Sequence, residues 1–165
     1  LLMELICDAN GDVAPRLGDV TISPEQALED HSLVMLYVVR MLCVGVVHGD
    51  LSEFNVLLDE QGPVIIDLPQ AVNAAANNQA ESMLSRDVNN MTNYYGQFAP
   101  ELLDTRYAKE IWELYEAGEL HPDIELTGEF HEDEQSADVD AVLTEISAAI
   151  EEEEARLERM KPDEL

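Results

Sequence analysis

Apolar residues in this chain recur with two periods, and the changes between them mark the elements. After a polar, Asp/Gly/Pro-rich stretch over 8–22, Leu28, Met35, Leu36, Val39, Leu42 and Cys43 return at helical spacing. Ser23-Pro24-Glu25-Gln26 supplies a start for that helix. Ser23 is the N-cap, proline lies in the first turn, and Gln26 is placed to reach back as a capping box. The helix is predicted to run to about Val44 and stop at Gly45. Two short apolar runs follow, Phe54 to Leu58 and Val64 to Ile66, around Asp59-Glu60-Gln61-Gly62-Pro63; these predict a β-hairpin. Helical spacing then resumes over 79–98 through Met83, Leu84, Val88, Met91, Tyr94, Tyr95 and Phe98. Another helix is predicted from Pro100 through Glu119, with Trp112 as core packing. Leu1 to Ile6 reads as a short buried strand, and Val139, Val142, Leu143, Ile146 and Ile150 trace one face of a last helix.

Composition adds limits. At 165 residues the chain can bury one ordinary core with a short appendage. No apolar run approaches a membrane span, and Leu1 to Ile6 lacks the basic flank and cleavage site of a signal peptide. Two separated cysteines, Cys7 and Cys43, make neither a disulfide framework nor a zinc site, and a reducing cytoplasm is the simplest setting. The net charge of −28, with Lys109 and Lys161 as the two lysines, argues against direct nucleic-acid binding. From Glu129 to Leu165 there are fourteen acidic and three basic residues, an acidic tail predicted to be partly helical.

The chemistry concentrates in His48-Gly49-Asp50-Leu51-Ser52-Glu53-Phe54-Asn55, with Asp67 twelve residues beyond Asn55. D-x-x-x-x-N is the catalytic-loop spacing of protein kinases, here with Gly49 where arginine is usual. Folding the hairpin back brings Asn55 and Asp67 beneath the loop that carries Asp50. That places one carboxylate for a substrate hydroxyl beside an amide and a carboxylate for a divalent ion. His48 reads as a packed residue that shapes the loop.

The fuller string, with Ile66-Asp67-Leu68-Pro69-Gln70, resembles the RIO family of atypical serine/threonine kinases, most of all a bacterial RIO1-like form. Met3-Glu4-Leu5-Ile6, Ala14-Pro15-Arg16-Leu17 and Ser85-Arg86-Asp87-Val88 extend the resemblance over roughly residues 1 to 120. It implies an α+β, protein-kinase-like C-terminal lobe over 1–126, mainly helical, whose small hairpin carries the metal site. Residues 127–165 form the acidic tail. It also implies ATP and Mg²⁺ (or Mn²⁺) as cofactors, with Asn55 and Asp67 as metal ligands. Asp50 meets the hydroxyl to be phosphorylated, and Asp67 doubles as a phosphoryl acceptor. Backbone groups near Glu4 and Ile6 meet adenine, Ser52 shapes the loop or contacts phosphate, and Asp87 anchors the loop's backbone.

The expected activity is transfer of the ATP γ-phosphoryl to serine, in another protein or in the chain itself, or to Asp67 in an ATPase cycle. No G-x-G-x-x-G occurs and no lysine precedes Lys109, so an N-terminal lobe is expected to be absent and this chain alone incomplete for catalysis. Ala99-Pro100-Glu101 falls beyond Ser85-Arg86-Asp87 and reads as coincidence rather than the end of an activation segment. Two alternatives stand beside this reading. An aminoglycoside-type phosphotransferase also uses a His-Gly-Asp loop, but Ser52-Glu53-Phe54 and Leu68-Pro69-Gln70 depart from its pattern. The other is a non-catalytic kinase-lobe scaffold.

Overall fold

A computed structural model describes residues 5–130 of the chain. Glu4, half of the expected hinge, and the helix expected within 139–150 lie outside the described residues. The described part mixes three helices with two small antiparallel sheets.

Helix α1 spans Pro24–Cys43, and the Ser23 hydroxyl accepts from the Gln26 amide at 3.1 Å as the N-cap expectation requires. The second half of the expected capping box is not made. The Gln26 side chain turns forward instead, donating to Asp30 Oδ1 at 2.8 Å, because a buried carboxylate one turn ahead needs a donor. The buried stripe is Ala27, His31, Val34, Met35, Val38, Val39 and Leu42, while Leu28, Leu36 and Cys43 sit only half-buried beside it. Gly45 follows the C-terminus at φ +79°, where a side chain would be strained.

Strand β1 (Val46–Val47) leads into the His48–Asn55 loop and pairs with β4 (Val72–Asn73), a pairing the sequence reading lacks. Strands β2 (Val56–Asp59) and β3 (Gly62–Ile65) form the expected hairpin with Val56 opposite Ile65. Its turn is tighter than expected, two residues instead of five. Asp59 Oδ1 accepts from the Gln61 and Gly62 amides at 2.6 and 3.0 Å, which closes the chain early and draws Pro63 into the strand opposite Leu58. The N-terminal segment is stitched to this hairpin. Arg16 bridges Leu57, and Leu58 N–H donates to the Pro15 carbonyl at 2.9 Å. Most of the strand expected over Leu1–Ile6 lies outside the described residues; the described Leu5 and Ile6 are irregular, and the nearest strand-like pairing is Cys7 with Val13.

Helix α2 (Ala80–Tyr95) packs against α1 and against α3 (Tyr107–Glu116), burying Leu84, Val88, Met91 and Tyr95. Fully burying side chains of this size contributes roughly 1.5–3 kcal/mol apiece. The single helix expected from Pro100 to Glu119 is instead a 3-10 turn, Pro100–Asp104, followed by α3, Tyr107–Glu116. Thr105 breaks it: its hydroxyl and amide both take the Leu102 carbonyl, and Arg106 N–H donates to the Gly128 carbonyl at 2.8 Å. Glu110 in turn accepts from the Thr127 and Gly128 amides, so 127–130, assigned to the tail from sequence, are held on α3. Trp112 packs half-buried against the core with its ring 5.2 Å from Tyr115. No helix among the described residues is long and apolar enough to cross a membrane.

Candidate functional site

The loop after β1 has no helix or strand ladder of its own, so part of its backbone is satisfied by side chains. Helix α2 provides them. Asp87, 1% exposed, accepts from Gly49 N–H at 2.7 Å and from Leu51 N–H at 3.0 Å. Asn90 donates to the Leu51 carbonyl at 3.2 Å, and Arg86 donates to the Gly49 carbonyl. Both peptide groups flanking Asp50 are thereby fixed from one helix face. Burial pushes the Asp87 carboxyl upward, opposed by the Leu51 and Gly49 amides and then by His48 and Arg86. Asp87 fits the anchor expected of it, whereas the contacts of Arg86 and Asn90 have no counterpart among the expectations from sequence. Positions 86, 87 and 90 lie together on a helix face, which the sequence shows, but not that this face meets the loop.

His48 is 1% exposed and packed, as expected. Its Nδ1 accepts from Asp50 N–H at 3.3 Å, so Nε2 carries the proton and donates to the Ile66 carbonyl at 2.9 Å. One ring thus links the catalytic-type loop to the residue before Asp67. Asn55 makes a second link. Its Nδ2 donates to the Asp50 carbonyl at 2.8 Å, which leaves Oδ1 as the amide's acceptor, and its own carbonyl accepts from Ile66 N–H at 2.9 Å.

Asp50 and Asp67 have exposed side chains, and Asn55 and Ser52 are half-buried. Asp67 has φ +66° and ψ +53°, the one non-glycine residue with positive φ among those described. A non-glycine residue in that region stores about 1–2 kcal/mol of strain, a frequent property of functional positions. The structure therefore gathers Asp50, Asn55 and Asp67 on one scaffold. Ser52 contributes its carbonyl, which accepts from Asn55 N–H at 3.0 Å. Ile6 is not tied to that set; its carbonyl accepts from Ala14 N–H at 2.9 Å. Ala99-Pro100-Glu101 begins the 3-10 turn after α2, away from the connection that follows Asp67, in keeping with coincidence.

Among the described residues no three His, Cys, Asp or Glu side chains form a protein-only metal site. An Asn oxygen and a carboxylate instead suit an ion such as Mg²⁺, which keeps its waters and takes further oxygens from a phosphorylated substrate.

The RIO domain family matches residues 1–108. The chain belongs to the RIO domain family. It is similar to the RIO-type serine/threonine-protein kinase Rio1 of Haloferax volcanii, 41% identical over 96 residues, covering 58% of this chain and 31% of that one. It is 52% identical over 56 residues to the RIO-type serine/threonine-protein kinase Rio2 of Methanocaldococcus jannaschii, covering 33% of this chain and 20% of that one. The serine/threonine-protein kinase RIO1 of Chaetomium thermophilum is 32% identical over 106 residues, covering 59% and 20% of the two chains. This RIO domain thus spans less than a third of the length of these curated relatives.

Proposed function

We propose that this RIO domain is the C-terminal, catalytic-loop half of an ATP-dependent serine/threonine kinase or ATPase. Asn55 and Asp67 would hold Mg²⁺ and Asp50 would orient the nucleophile. The observation that carries the reading is the pair of links through Asn55, its amide on the Asp50 carbonyl and its carbonyl on the Ile66 amide. They hold the three polar positions of the motif in one arrangement before any substrate arrives. Bound ATP supplies the phosphoryl group, and its divalent ion neutralises the charge that develops during transfer.

Asp50 accepts a hydrogen bond from the serine hydroxyl and takes its proton late in the step. The bond from the γ-phosphorus to the serine oxygen forms as its bond to the bridging oxygen of ADP breaks. In the ATPase branch the Asp67 carboxylate is the attacking oxygen, and water later cleaves the acyl-phosphate. Backbone groups near Glu4 and Ile6 would meet adenine; with the Ile6 carbonyl engaged by Ala14, its N–H is the group left for that contact. Ser52 would contact phosphate or hold the loop. The short connection after Asp67, a 3-10 turn at Leu68–Gln70 and the two residues of β4, favours self-phosphorylation or a narrow protein-substrate range. Free Cys7 and Cys43 suit a reducing, cytoplasmic setting.

The test uses the full-length protein with Mg²⁺ and γ-labelled ATP, following phosphate release and label on protein. Asp50→Asn is expected to slow transfer by about 10²–10⁴-fold. Acid-stable label on serine that disappears in Asp50→Asn supports the kinase branch. Hydroxylamine-labile label that disappears in Asp67→Asn supports the ATPase branch. Absence of turnover in the wild type overturns both.

A further inference from the structure

Beyond the residues that anchor the loop, α2 continues a polar face towards its C-terminus. Asn90, Asn93, Tyr94 and Gln97 follow one another at i, i+3, i+4 and i+7, and with Ser52 and Glu53 they line a groove of about 280 Å³. The groove adjoins the site described above: Ser52 is two residues past Asp50, and Asn90 is bonded to the Leu51 carbonyl. The segments around it are tied together. Tyr94 donates its hydroxyl to the Leu17 carbonyl at 2.9 Å, and Gly18 N–H donates to the Glu53 carbonyl at 3.1 Å.

No Lys, Arg or His side chain lines the groove, so a phosphate or carboxylate ligand would find no partner there. A basic side chain would find Glu53. Burial, then Glu53 and Asp19, push the Tyr94 phenol upward, which sets both acidic side chains near that ring. Carboxamides supply the rest, each with a donor and an acceptor. Asn90 has committed its Nδ2 to Leu51 and keeps Oδ1, while Asn93 and Gln97 are exposed, with no side-chain hydrogen bond among the described residues. From Asn90 to Gln97 the rise is about 10 Å, the length of about three residues of extended chain. The alternating N–H and C=O groups of such a chain can be met by carboxamides whatever side chains it carries. The volume, about 280 Å³, falls below the range of about 300–1,000 Å³ usual for a small-molecule site.

We infer that this groove binds an extended polypeptide segment carrying a lysine or arginine, with its backbone across Asn90, Asn93 and Gln97 and the basic side chain at Glu53. That such a segment is the protein substrate of the Asp50 site rests on the function proposed above; its binding does not. Asp50 and Glu53 are three positions apart, at most about 11 Å of chain, so the basic residue lies within about four positions of the serine.

The full-length protein is titrated into fluorescein-labelled nine-residue peptides of alanine and glycine. Each has a central serine and one arginine, placed at successive positions, and an arginine-free peptide serves as reference. Anisotropy reads binding at about 150 mM salt, where a screening length of about 8 Å damps the long-range attraction of a chain of net charge −28. At least one arginine position is expected to bind fivefold or more tightly than the reference, and Glu53→Gln should erase that difference. Asn93→Ala/Gln97→Ala should weaken every peptide at least threefold. Glu113→Gln/Glu116→Gln, which removes two exposed charges from α3, should change nothing. Equal binding of all peptides, an arginine gain that survives Glu53→Gln, an equal loss in the α3 pair, or indifference to the carboxamide pair would each overturn the proposal. With γ-labelled ATP and Mg²⁺, KM for the favoured peptide should rise in the carboxamide pair by the factor seen in binding. A peptide that binds with this pattern but takes no label would overturn the kinase reading and leave the groove. Label on a peptide whose binding ignores Glu53, Asn93 and Gln97 would overturn the groove and leave the kinase.

Discussion

Two aspartates buried to the same 1% exposure, Asp30 and Asp87, are expected to respond oppositely to the same substitution. Asparagine keeps the volume and one acceptor oxygen but turns the other into a donor. At Asp87 both oxygens are occupied by backbone N–H groups, of Gly49 at 2.7 Å and Leu51 at 3.0 Å. Asp87→Asn therefore sets an NH₂ against one of these donors and leaves a buried N–H unsatisfied, at about 1–3 kcal/mol. The surviving bond falls from charge-assisted to neutral, about 1 kcal/mol more, and relief of the buried charge returns part of that. The net expectation is a loss of about 2–3 kcal/mol. At Asp30 one oxygen keeps its Gln26 donor and the other has no protein donor to lose. Asp30→Asn should leave stability within about 1 kcal/mol of wild type, or raise it, because a buried charge is removed without stranding a partner. Urea unfolding followed by far-UV circular dichroism reads both. With a slope of about 1–2 kcal/mol/M for a unit of this size, Asp87→Asn should lower the midpoint by about 1–3 M. Equal losses at the two sites, or a neutral Asp87→Asn, would refute the claim that occupancy of the carboxylate oxygens decides the cost.

Two further expectations concern His31 and Asp67. Burial lowers the His31 pKa to about 4, with Thr92 bonded to Nε2 and the Tyr95 and Tyr107 rings at 5.8 and 5.2 Å. A histidine kept neutral by the fold takes up its proton more readily when unfolded. Its contribution is intact above the unfolded value near 6.5 and lost as pH falls from there towards about 4. That loss amounts to about 3 kcal/mol, and a pH series of urea midpoints should show His31→Gln lacking that slope relative to wild type. Asp67→Gly should relieve the left-handed strain and raise stability by about 1 kcal/mol in thermal melts while abolishing phosphoryl transfer; a destabilised variant would contradict the strain argument.

What the sequence made legible depended on interaction range. The α1 helix, the Ser23 cap and the hairpin rest on neighbours within a few positions, and each is present, although the hairpin turn is tighter and the buried stripe of α1 is shifted from the one the spacing predicts. The β1–β4 pair consists of two-residue strands 26 positions apart, too short for any alternation to announce it. The break at Thr105 lay beneath an apolar pattern that continues across it, because a side-chain hydroxyl competing for Leu102 leaves no mark on hydrophobic spacing. The motif itself pointed to Asp50, Asn55 and Asp67. The links from Arg86 and Asn90 to the loop needed the docking angle of α2, a tertiary quantity that local pattern does not contain.

The clamp on the Asp50 loop also sets a timescale. Gly49 and Leu51 amides meet solvent only when the loop parts from Asp87, so their hydrogens should exchange as slowly as those in the middle of α2. The Ala75 and Ala76 amides, bonded to the Asn73 side chain at an exposed turn, should exchange orders of magnitude sooner. The loop that carries Asp50 then keeps its shape through many substrate encounters, while the turn beyond β4 samples new shapes between them. Whatever adapts when a substrate arrives must come from segments that lack such a clamp.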